Sequence, residues 1–351
     1  MLRSLSRAQA AALALLALAL LAWSLTIGPV QAPSASAPTE AYSDLKLYCD
    51  TAEAVHGGEP YYAAAARLQR LHDFPTRPFA TIRLPTLTWL AAALGLPALH
   101  VLMLVLVLAN AVAWYAAGRR PAAAAERCAV ALFALAGSAM ALSPEFALKH
   151  EVWAGLLVSL AIVLQSREHW RTALLLIATA LTFRELAASF LPIALAVAVY
   201  RRRWREAGAW VLLGLLFAIV LAFHAHAAAA NVRPGDLGSQ GWLGLRGPAA
   251  PLRDLVDVSL LNRIPAPLCY GLAMASLLGL MGAPPRVAAY VFPFTLIILA
   301  LLAICARPVN FYWAILILPT ALIGLAFLPR AAGYLVRALR RPPLAGVRQP
   351  L

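Results

Sequence analysis

Residues 41–62, AYSDLKLYCDTAEAVHGGEPYY, bring acids, aromatics and a pair of glycines together in an otherwise apolar chain. Ser43 is a good N-cap residue, and usable helix formers follow Asp44. Gly57 and Gly58 supply the stop signal. The sequence therefore predicts a polar helix that begins at Asp44, ends near Gly57 and directly follows the first long apolar run of the chain.

The predicted helix places chemistry-bearing side chains on one face. Asp44, Tyr48 and Thr51 are four and three residues apart, which puts them side by side. Asp44 is the first helical residue, so the positive end of the helix dipole favours its ionised form. This position suits a general base, and it equally suits an acid that only complements the dipole.

Composition sets the class of protein. The chain is 62% hydrophobic and 13% charged, and apolar runs of about 20 residues, the length that spans a bilayer, recur along it. The formal net charge of +14 comes from basic residues scattered between these runs, without a basic domain. The sequence predicts a polytopic, all-α membrane protein whose partners include membrane lipids and exclude nucleic acid.

The apolar runs predict about ten transmembrane helices in a single domain. They lie at residues 10–30, 97–118, 123–142, 152–165, 172–200, 209–228, 268–281, 287–304 and 311–328, and the run at 172–200 is broken into two short helices at Arg184-Glu185. Residues 85–95 predict a half-helix at the membrane interface. A cleaved signal peptide is the alternative for 10–30, but the run exceeds the ~7–15 residues of a signal core.

Polar segments divide this single domain, 1–351, into parts. A first long loop at 31–84 precedes central helices at 85–230, and a second long loop at 231–267 precedes C-terminal spans at 268–330 and a basic tail at 331–351. Most of the 29 Arg and Lys residues lie at the termini and in the short connections that share their side. The positive-inside rule then predicts cytoplasmic termini and two outward-facing long loops.

Acidic residues are concentrated on the predicted outer side. Only Glu126, Glu168 and Glu206, of fifteen acidic residues, lie clearly on the cytoplasmic side. Ionisable groups at the rim of a membrane are costly and mark sites or pathways. The spans hold almost none of them, so the pattern favours a site on the outer surface over a conduit.

Several motifs resemble the GT-C superfamily of membrane glycosyltransferases, and within it the bacterial polyprenyl-phosphate-mannose-dependent branch. They are SDLKLY at 43–48 with GGEPY at 57–61, RELA at 184–187, RWREA at 203–207 and NFYW at 310–313. The aromatic-proline signature that often follows the first loop is replaced by RPF at 77–79 and RLP at 83–85. The resemblance implies a multi-pass protein of the bacterial inner membrane that takes sugar from a polyprenyl-phosphate-linked donor.

The resemblance also implies roles for individual residues. Asp44 would be the general base for the hydroxyl of a lipid or glycan acceptor. His150, at a predicted outer turn, is a candidate acid/base partner. Arginine forms bidentate pairs with phosphate, so the candidate phosphate clamps are Arg77, Arg83, Arg184 and Arg307. Tyr48, Asp50, Glu151 and Glu185 are further candidates for substrate binding. No cofactor is implied, and a divalent metal is left open.

Plainer interpretations stand beside these. Each arginine could be an interfacial side chain whose head reaches water, and Arg184-Glu185 could be a local ion pair that closes a turn. His224 and His226 are two residues apart, so they diverge on a helix, and we expect them at the solvent-facing end of a span. Cys49 and Cys269 could form a disulfide, but sequence alone does not pair them.

Two other classes of function remain open at this stage. A secondary transporter or lipid flippase could use the same apolar frame, although it should show paired broken helices in two halves, and only residues 172–200 are broken in that way. A non-catalytic membrane scaffold would keep the spans without needing Asp44.

Overall fold

The structure, a computed structural model, describes Leu2 and residues 5–28, 42–117 and 124–340. Within these residues the protein is all-helical, and no strand forms beyond an isolated bridge between Arg77 and Gly238. Part of the predicted first loop, 31–41, and the end of the predicted basic tail, 341–351, lie outside the described residues.

The described chain runs through fourteen α-helices in order. They are α1 (Arg7–Ser24), α2 (Asp44–His56), α3 (Tyr61–Leu71), α4 (Thr86–Ala117), α5 (Ala124–Gly137), α6 (His150–Ser166), α7 (Trp170–Phe183), α8 (Phe190–Tyr200), α9 (Trp204–Ala229), α10 (Ala249–Asp257), α11 (Leu268–Gly279), α12 (Pro285–Ile304), α13 (Leu318–Ala321) and α14 (Gly324–Leu339). Short 3₁₀ helices lie at Phe79–Thr81, Ala139–Leu142, Pro144–Leu148, Glu185–Ser189, Leu260–Arg263, Leu280–Gly282 and Pro308–Ile317.

Each predicted span coincides with helical structure, which confirms the polytopic membrane class. Among the described residues, α1, α9, α12 and the segment Phe79–Ala117 are long and apolar enough to cross a membrane. The C-terminal pair Pro308–Ala321 and Gly324–Leu339 is bent by 63°. Within α4, Gly95 has φ +76°, a left-handed conformation that separates the predicted half-helix from the full span after it.

The centre of the bundle is α6, which is apolar on all sides and buried at nearly every position. Such a helix belongs in the middle of a membrane bundle because it has no polar face to expose. Its sequence prediction began at residue 152, but the helix begins at His150. His150 and Glu151 therefore lie buried in its first turn rather than in an exposed outer turn.

Small residues let the C-terminal helices approach closely. A Cβ added at Gly279 of α11 would lie 2.0 Å from the carbonyl oxygen of Gly324 in α14, and one added at Gly324 would lie 1.8 Å from that of Ser276. Contacts between small residues of this kind are a common way to pack membrane helices. Helix α14 continues to Leu339, so residues 331–339, predicted as tail, extend the last helix.

The described part of the first long loop, residues 42–84, folds onto the helices instead of extending into solvent. Ser43 caps α2 by accepting a hydrogen bond from the Lys46 amide at 3.2 Å, as the sequence predicted. Its neighbour α3 is held by His224 of α9, which contacts the Tyr62 hydroxyl at 3.0 Å and the Ile82 carbonyl at 3.1 Å. The prediction that His224 faces solvent is wrong: it is buried, because both ring nitrogens find partners in this loop.

Candidate functional site

A cavity of about 440 Å³ lies where the two long loops meet the helix ends. It is lined by Asp44, Leu47, Tyr48, Gln69, Phe74, Pro75, Ala80, Thr81, Arg83, Arg184, Glu185, Leu186, Ser239, Trp242, Arg307, Val309, Asn310, Tyr312 and Trp313. Six residues singled out from the sequence are therefore neighbours here: Asp44, Tyr48, Arg83, Arg184, Glu185 and Arg307. They come from segments far apart in the chain.

Asp44 is the first residue of α2, and its side chain is 35% exposed. Its nearest cation is Lys149, whose ammonium lies 3.7 Å from the carboxylate and is itself 9% exposed. The same ammonium lies 4.2 Å from the centre of the Tyr312 ring. At 3.7 Å the pair is electrostatic, beyond hydrogen-bond length, so the carboxylate oxygens stay available to a ligand.

Tyr48 lies one turn after Asp44 and links α2 to the opposite wall. Its hydroxyl accepts a hydrogen bond from Arg83 Nε at 3.1 Å, and Arg83 Nη2 donates to the Tyr312 hydroxyl at 2.9 Å. Asn310 Nδ2 also donates to Tyr312, at 3.3 Å. Burial raises the pKa of the Tyr48 phenol, although Arg83 opposes the shift, so Tyr48 keeps its proton and can donate to a ligand.

Arg184 is the most deeply buried cation of the site. It ends α7 with a side chain only 1% exposed, and its Nε lies 2.8 Å from a carboxylate oxygen of Glu151, which is 2% exposed. Its Nη1 also bonds Glu185. Glu151 lies behind the cavity wall, so its role is to hold Arg184 in place. Arg184 thus occupies the polar break that the sequence predicted between two apolar helices.

Arg307 reaches the cavity from the turn after α12, where side chains of the second long loop contact it. Its Nη2 donates to Ser239 Oγ at 3.3 Å and its Nη1 to Gln240 Oε1 at 3.4 Å. Nε has no hydrogen-bond partner among the described residues. An anchored guanidinium with a spare donor is suited to an anionic ligand.

Hydrogen bonds connect the two long loops beside the cavity. Arg70 of α3 donates to both carboxylate oxygens of Asp236, with Nε at 2.5 Å and Nη2 at 2.9 Å, and Thr76 donates to the same carboxylate at 3.0 Å. These hydrogen bonds, that from Arg70 foremost, hold the pKa of Asp236 well below its usual range. Arg77, predicted as a phosphate clamp, instead donates to the Asp236 carbonyl at 2.6 Å.

Three other sequence candidates lie away from the cavity lining. Asp50 points along α2 to Lys46 at 2.6 Å and accepts from Tyr42. His150 is buried against the Tyr48 ring, with ring centres 5.0 Å apart, and neither ring nitrogen has a hydrogen-bond partner among the described residues. It could act on a ligand only through Tyr48. Arg77 is the third and belongs to the loop contact described above.

Sequence reasoning missed the role of Lys149 and of the residues around Tyr312. Lys149 is one of two lysines in a chain whose basic residues are otherwise arginine, and this rarity was the available signal. Tyr312 and Asn310 belonged to a motif that was noticed only as a resemblance. Gln69 and Trp242 carried no signal, because each reaches the cavity through the folding of a loop.

No group of three or more His, Cys, Asp or Glu side chains within the described ranges could hold a metal ion. Cys49 and Cys269 are both free, so the disulfide that the sequence left open is absent. The site therefore presents Asp44, Glu185 and the phenol of Tyr48 together with three arginines. Arginines around a cavity with a free carboxylate can bind a phosphate group and leave a base beside it.

Comparison with known proteins gives one informative result. No protein-family model and no curated protein matches the chain. The solved structure of ArnT from Cupriavidus metallidurans bound to undecaprenyl phosphate is similar, with a TM-score of 0.53 and 14% sequence identity. The likeness covers 93% of this chain and 62% of ArnT, so the chain spans less than two thirds of its neighbour's length. The protein is an all-helical, multi-pass membrane protein whose fold is similar to that of ArnT.

Proposed function

We propose that the protein is a membrane glycosyltransferase that moves a sugar from a polyprenyl-phosphate-linked donor to a lipid or glycan acceptor on the extracytoplasmic face. The observation that carries the proposal is the cavity itself. It joins Asp44 to Arg83, Arg184 and Arg307, which arrive from four separate parts of the chain. The undecaprenyl phosphate bound to the structurally similar ArnT supports a donor of this class. Mannose is the candidate sugar on the resemblance of the sequence motifs.

In the proposed reaction the donor phosphate lies among the three arginines. Asp44 takes the proton of the acceptor hydroxyl, and the hydroxyl oxygen forms a bond to the anomeric carbon of the sugar. The bond between that carbon and the phosphate oxygen breaks, and its electron pair leaves with polyprenyl phosphate. The arginines stabilise the charge that develops on this leaving group, which is where fixed cations accelerate a reaction most. Tyr48 holds Arg83 and donates a hydrogen bond to a ligand oxygen.

The three arginines differ in the side chains that hold them. Arg184 is held by two carboxylates, Arg307 by two neutral side chains and Arg83 by two phenols. A cation already paired with carboxylates keeps less of its charge for a ligand than one held by neutral groups. Arg83 and Arg307 are therefore the stronger phosphate ligands, and Arg184 stabilises the arrangement from behind.

Asp44→Asn tests the proposal most directly. The change keeps size and hydrogen bonding but removes the base, so transfer should fall by roughly 10²–10⁴-fold. The measurement is sugar transfer from a polyprenyl-phosphate donor in membranes at matched expression. Asp50→Asn is the control on the same helix, since Asp50 lies outside the cavity lining and pairs with Lys46, whose side chain is 58% exposed. Unchanged transfer by Asp44→Asn would reject the mechanism and favour a scaffold or transporter.

The proposal also requires the cavity to open away from the cytoplasm, with both termini on the cytoplasmic side of a bacterial inner membrane. A cysteine placed at Gln240 of the second loop should react with a membrane-impermeant maleimide in intact cells. The native Cys128, exposed near the other end of the bundle, is the internal control and should react only after lysis. Reaction at Cys128 in intact cells, with Gln240→Cys protected, would show that the topology is the opposite of the one proposed.

A further inference from the structure

The second outer loop carries two of the most exposed apolar side chains in the described part of the protein. Leu243 is 92% exposed and Leu245 is 87% exposed. Exposure alternates along this segment, because Trp242, Gly244 and Arg246 are turned towards the protein. This alternation is typical of extended chain with one face packed, and here the outward face consists of leucine.

The backbone of this segment is fixed to the end of a membrane span. The Gly244 amide donates to the carbonyl of Ile304 at 3.2 Å, and the Arg246 amide donates to that of Ala303 at 2.9 Å. Ile304 is the last residue of α12, one of the helices long enough to cross the membrane. The last carbonyls of a helix have no partner within it, so the loop supplies donors that the span end lacks. Leu243 and Leu245 consequently lie at the level where α12 leaves the bilayer.

The charge in this segment is turned inward. Arg246 lies between the leucines and α10, and both of its terminal nitrogens bond the carboxylate of Asp254, at 2.6 and 2.8 Å. The arginine side chain is 15% exposed and the aspartate 2% exposed. A bidentate pair of this kind neutralises the guanidinium. The face that carries Leu243 and Leu245 is therefore left without an exposed charge from its own segment.

The leucine pair is also continuous with an apolar surface that already faces lipid. Ile304 and Leu296 on α12 are each 48% exposed, and Val309, just after the span, is 62% exposed. Large exposed apolar groups that adjoin a span are expected to contact lipid rather than water. Val309 also lines the catalytic cavity, which places this surface at the rim of the cavity.

We propose that residues 242–246 form a membrane-interface anchor, in which Leu243 and Leu245 insert into the lipid surface beside the end of α12. The anchor fixes the part of the second loop that builds the cavity. Trp242 lines the cavity, and Ser239, three residues earlier, holds Arg307. Contact with lipid thus supports the wall of the site in addition to the helices.

Depth measurement in liposomes tests the anchor without any enzymatic turnover, so its outcome is independent of the proposed function. A nitroxide is attached to Leu245→Cys in the full-length protein with Cys128→Ser, and the spectrum of that background is subtracted. Collision rates are measured with oxygen, which concentrates in lipid, and with a water-soluble nickel chelate. Leu237→Cys is the matched control: it is a leucine of the same loop, 50% exposed, whose carbonyl bonds Thr76 in the first loop.

The expected result is a collision rate with oxygen several-fold above that with nickel at position 245, and the reverse at position 237. A rate with nickel that exceeds the rate with oxygen at position 245 would overturn the anchor, because the loop would then lie in water. An immobile label that neither reagent reaches, with spin coupling that grows with protein density, would show a second copy on this face and would also overturn it.

Discussion

The two ends of the helix bundle both bury charge, but they use it differently. At the end that holds the cavity, Arg184 and Glu151 are almost fully buried and form part of the wall behind it, while Arg83 and Arg307 are held by neutral side chains. Their positive charge remains available to a ligand.

At the opposite end of the bundle, around Glu206, acidic and basic side chains pair with one another. Glu206 of α9, 2% exposed, accepts from Gln165 of α6 and lies 3.5 Å from Arg203. Arg203 also pairs with Glu168 at 3.0 Å, and Arg286 of α12 approaches the same carboxylate at 3.2 Å. These pairs join the ends of three helices. The charged residues at this end of the bundle therefore have a structural role.

The difference shows how to separate function from structure where buried ions are abundant. A cluster in which acids and bases neutralise each other stabilises the bundle, whereas one with unneutralised cations around a cavity is prepared for an anion. The comparison predicts that substitutions at the cavity end change sugar transfer by each folded molecule. Substitutions at the opposite end, around Glu206, should change the amount of folded protein.

The largest effect is expected for Arg184→Ala. It removes a cation from the cavity and leaves Glu151 as an unpaired buried charge, which typically costs about 3–5 kcal/mol. Transfer per folded molecule should also fall, but by less than the roughly 10²–10³-fold worth of one direct charge-stabilising donor, because Arg184 supports the phosphate ligands Arg83 and Arg307 from behind. Thermal unfolding in detergent and transfer at matched abundance measure the two effects.

Arg184→Lys should be milder because it keeps the charge, and Arg233→Ala in the second loop is the control. If Arg184→Ala protein folds normally and transfers sugar at the original rate, Arg184 has only a structural role, like the ion pairs around Glu206.

Glu206→Ala should show the opposite pattern. Removing this carboxylate takes its charged acceptor from the buried Gln165 amide and leaves it only the Tyr290 hydroxyl at 3.3 Å. We expect a loss of about 1–3 kcal/mol of folding free energy. Transfer by each folded molecule should be unchanged, because Glu206 lies at the far end of the bundle from the cavity. A lower unfolding temperature with a normal specific rate confirms the comparison. Normal stability with reduced transfer would break it.

Lys149→Met should lower transfer by about 2–5-fold, since a partly exposed ion pair is worth only ~0.2–1 kcal/mol. Lys149 steadies the Asp44 carboxylate at 3.7 Å and lies on the face of the Tyr312 ring. Lys46→Met removes the one other lysine of the chain, which is 58% exposed and pairs with Asp50. Equal transfer by the two variants would remove Lys149 from the site.

The smallest effect is expected from pH at the loop contact. Arg70 and its neighbours hold the pKa of Asp236 below its unfolded value, so the carboxylate contributes stability that is complete above about pH 5 and is lost as the pH falls below about 4. The protection of the second loop against hydrogen exchange, measured relative to the intrinsic rate at each pH, should then decrease in acid. Asp236→Asn should exchange faster at neutral pH and lose this acid dependence, and a wild-type loop indifferent to acid would contradict the assignment.

The sequence by itself determined the membrane class, the order of the spans and the bounds of α2. Asp44 and Tyr48 share a face because the helical repeat is a local property of four neighbouring residues. The break at Arg184 was also readable, since a charge between two apolar runs must lie at a turn or in a site.

Only the tertiary structure decided which of the marked residues meet. Arg83, Arg184 and Arg307 reach one cavity because distant helices pack around α6, and sequence spacing carries no record of that packing. The same packing buried His150 and His224, turned Arg77 to a loop carbonyl, and brought Lys149 to Asp44. Contacts between distant segments depend on how apolar faces and small residues fit together, which is decided by the whole bundle and not by any single stretch.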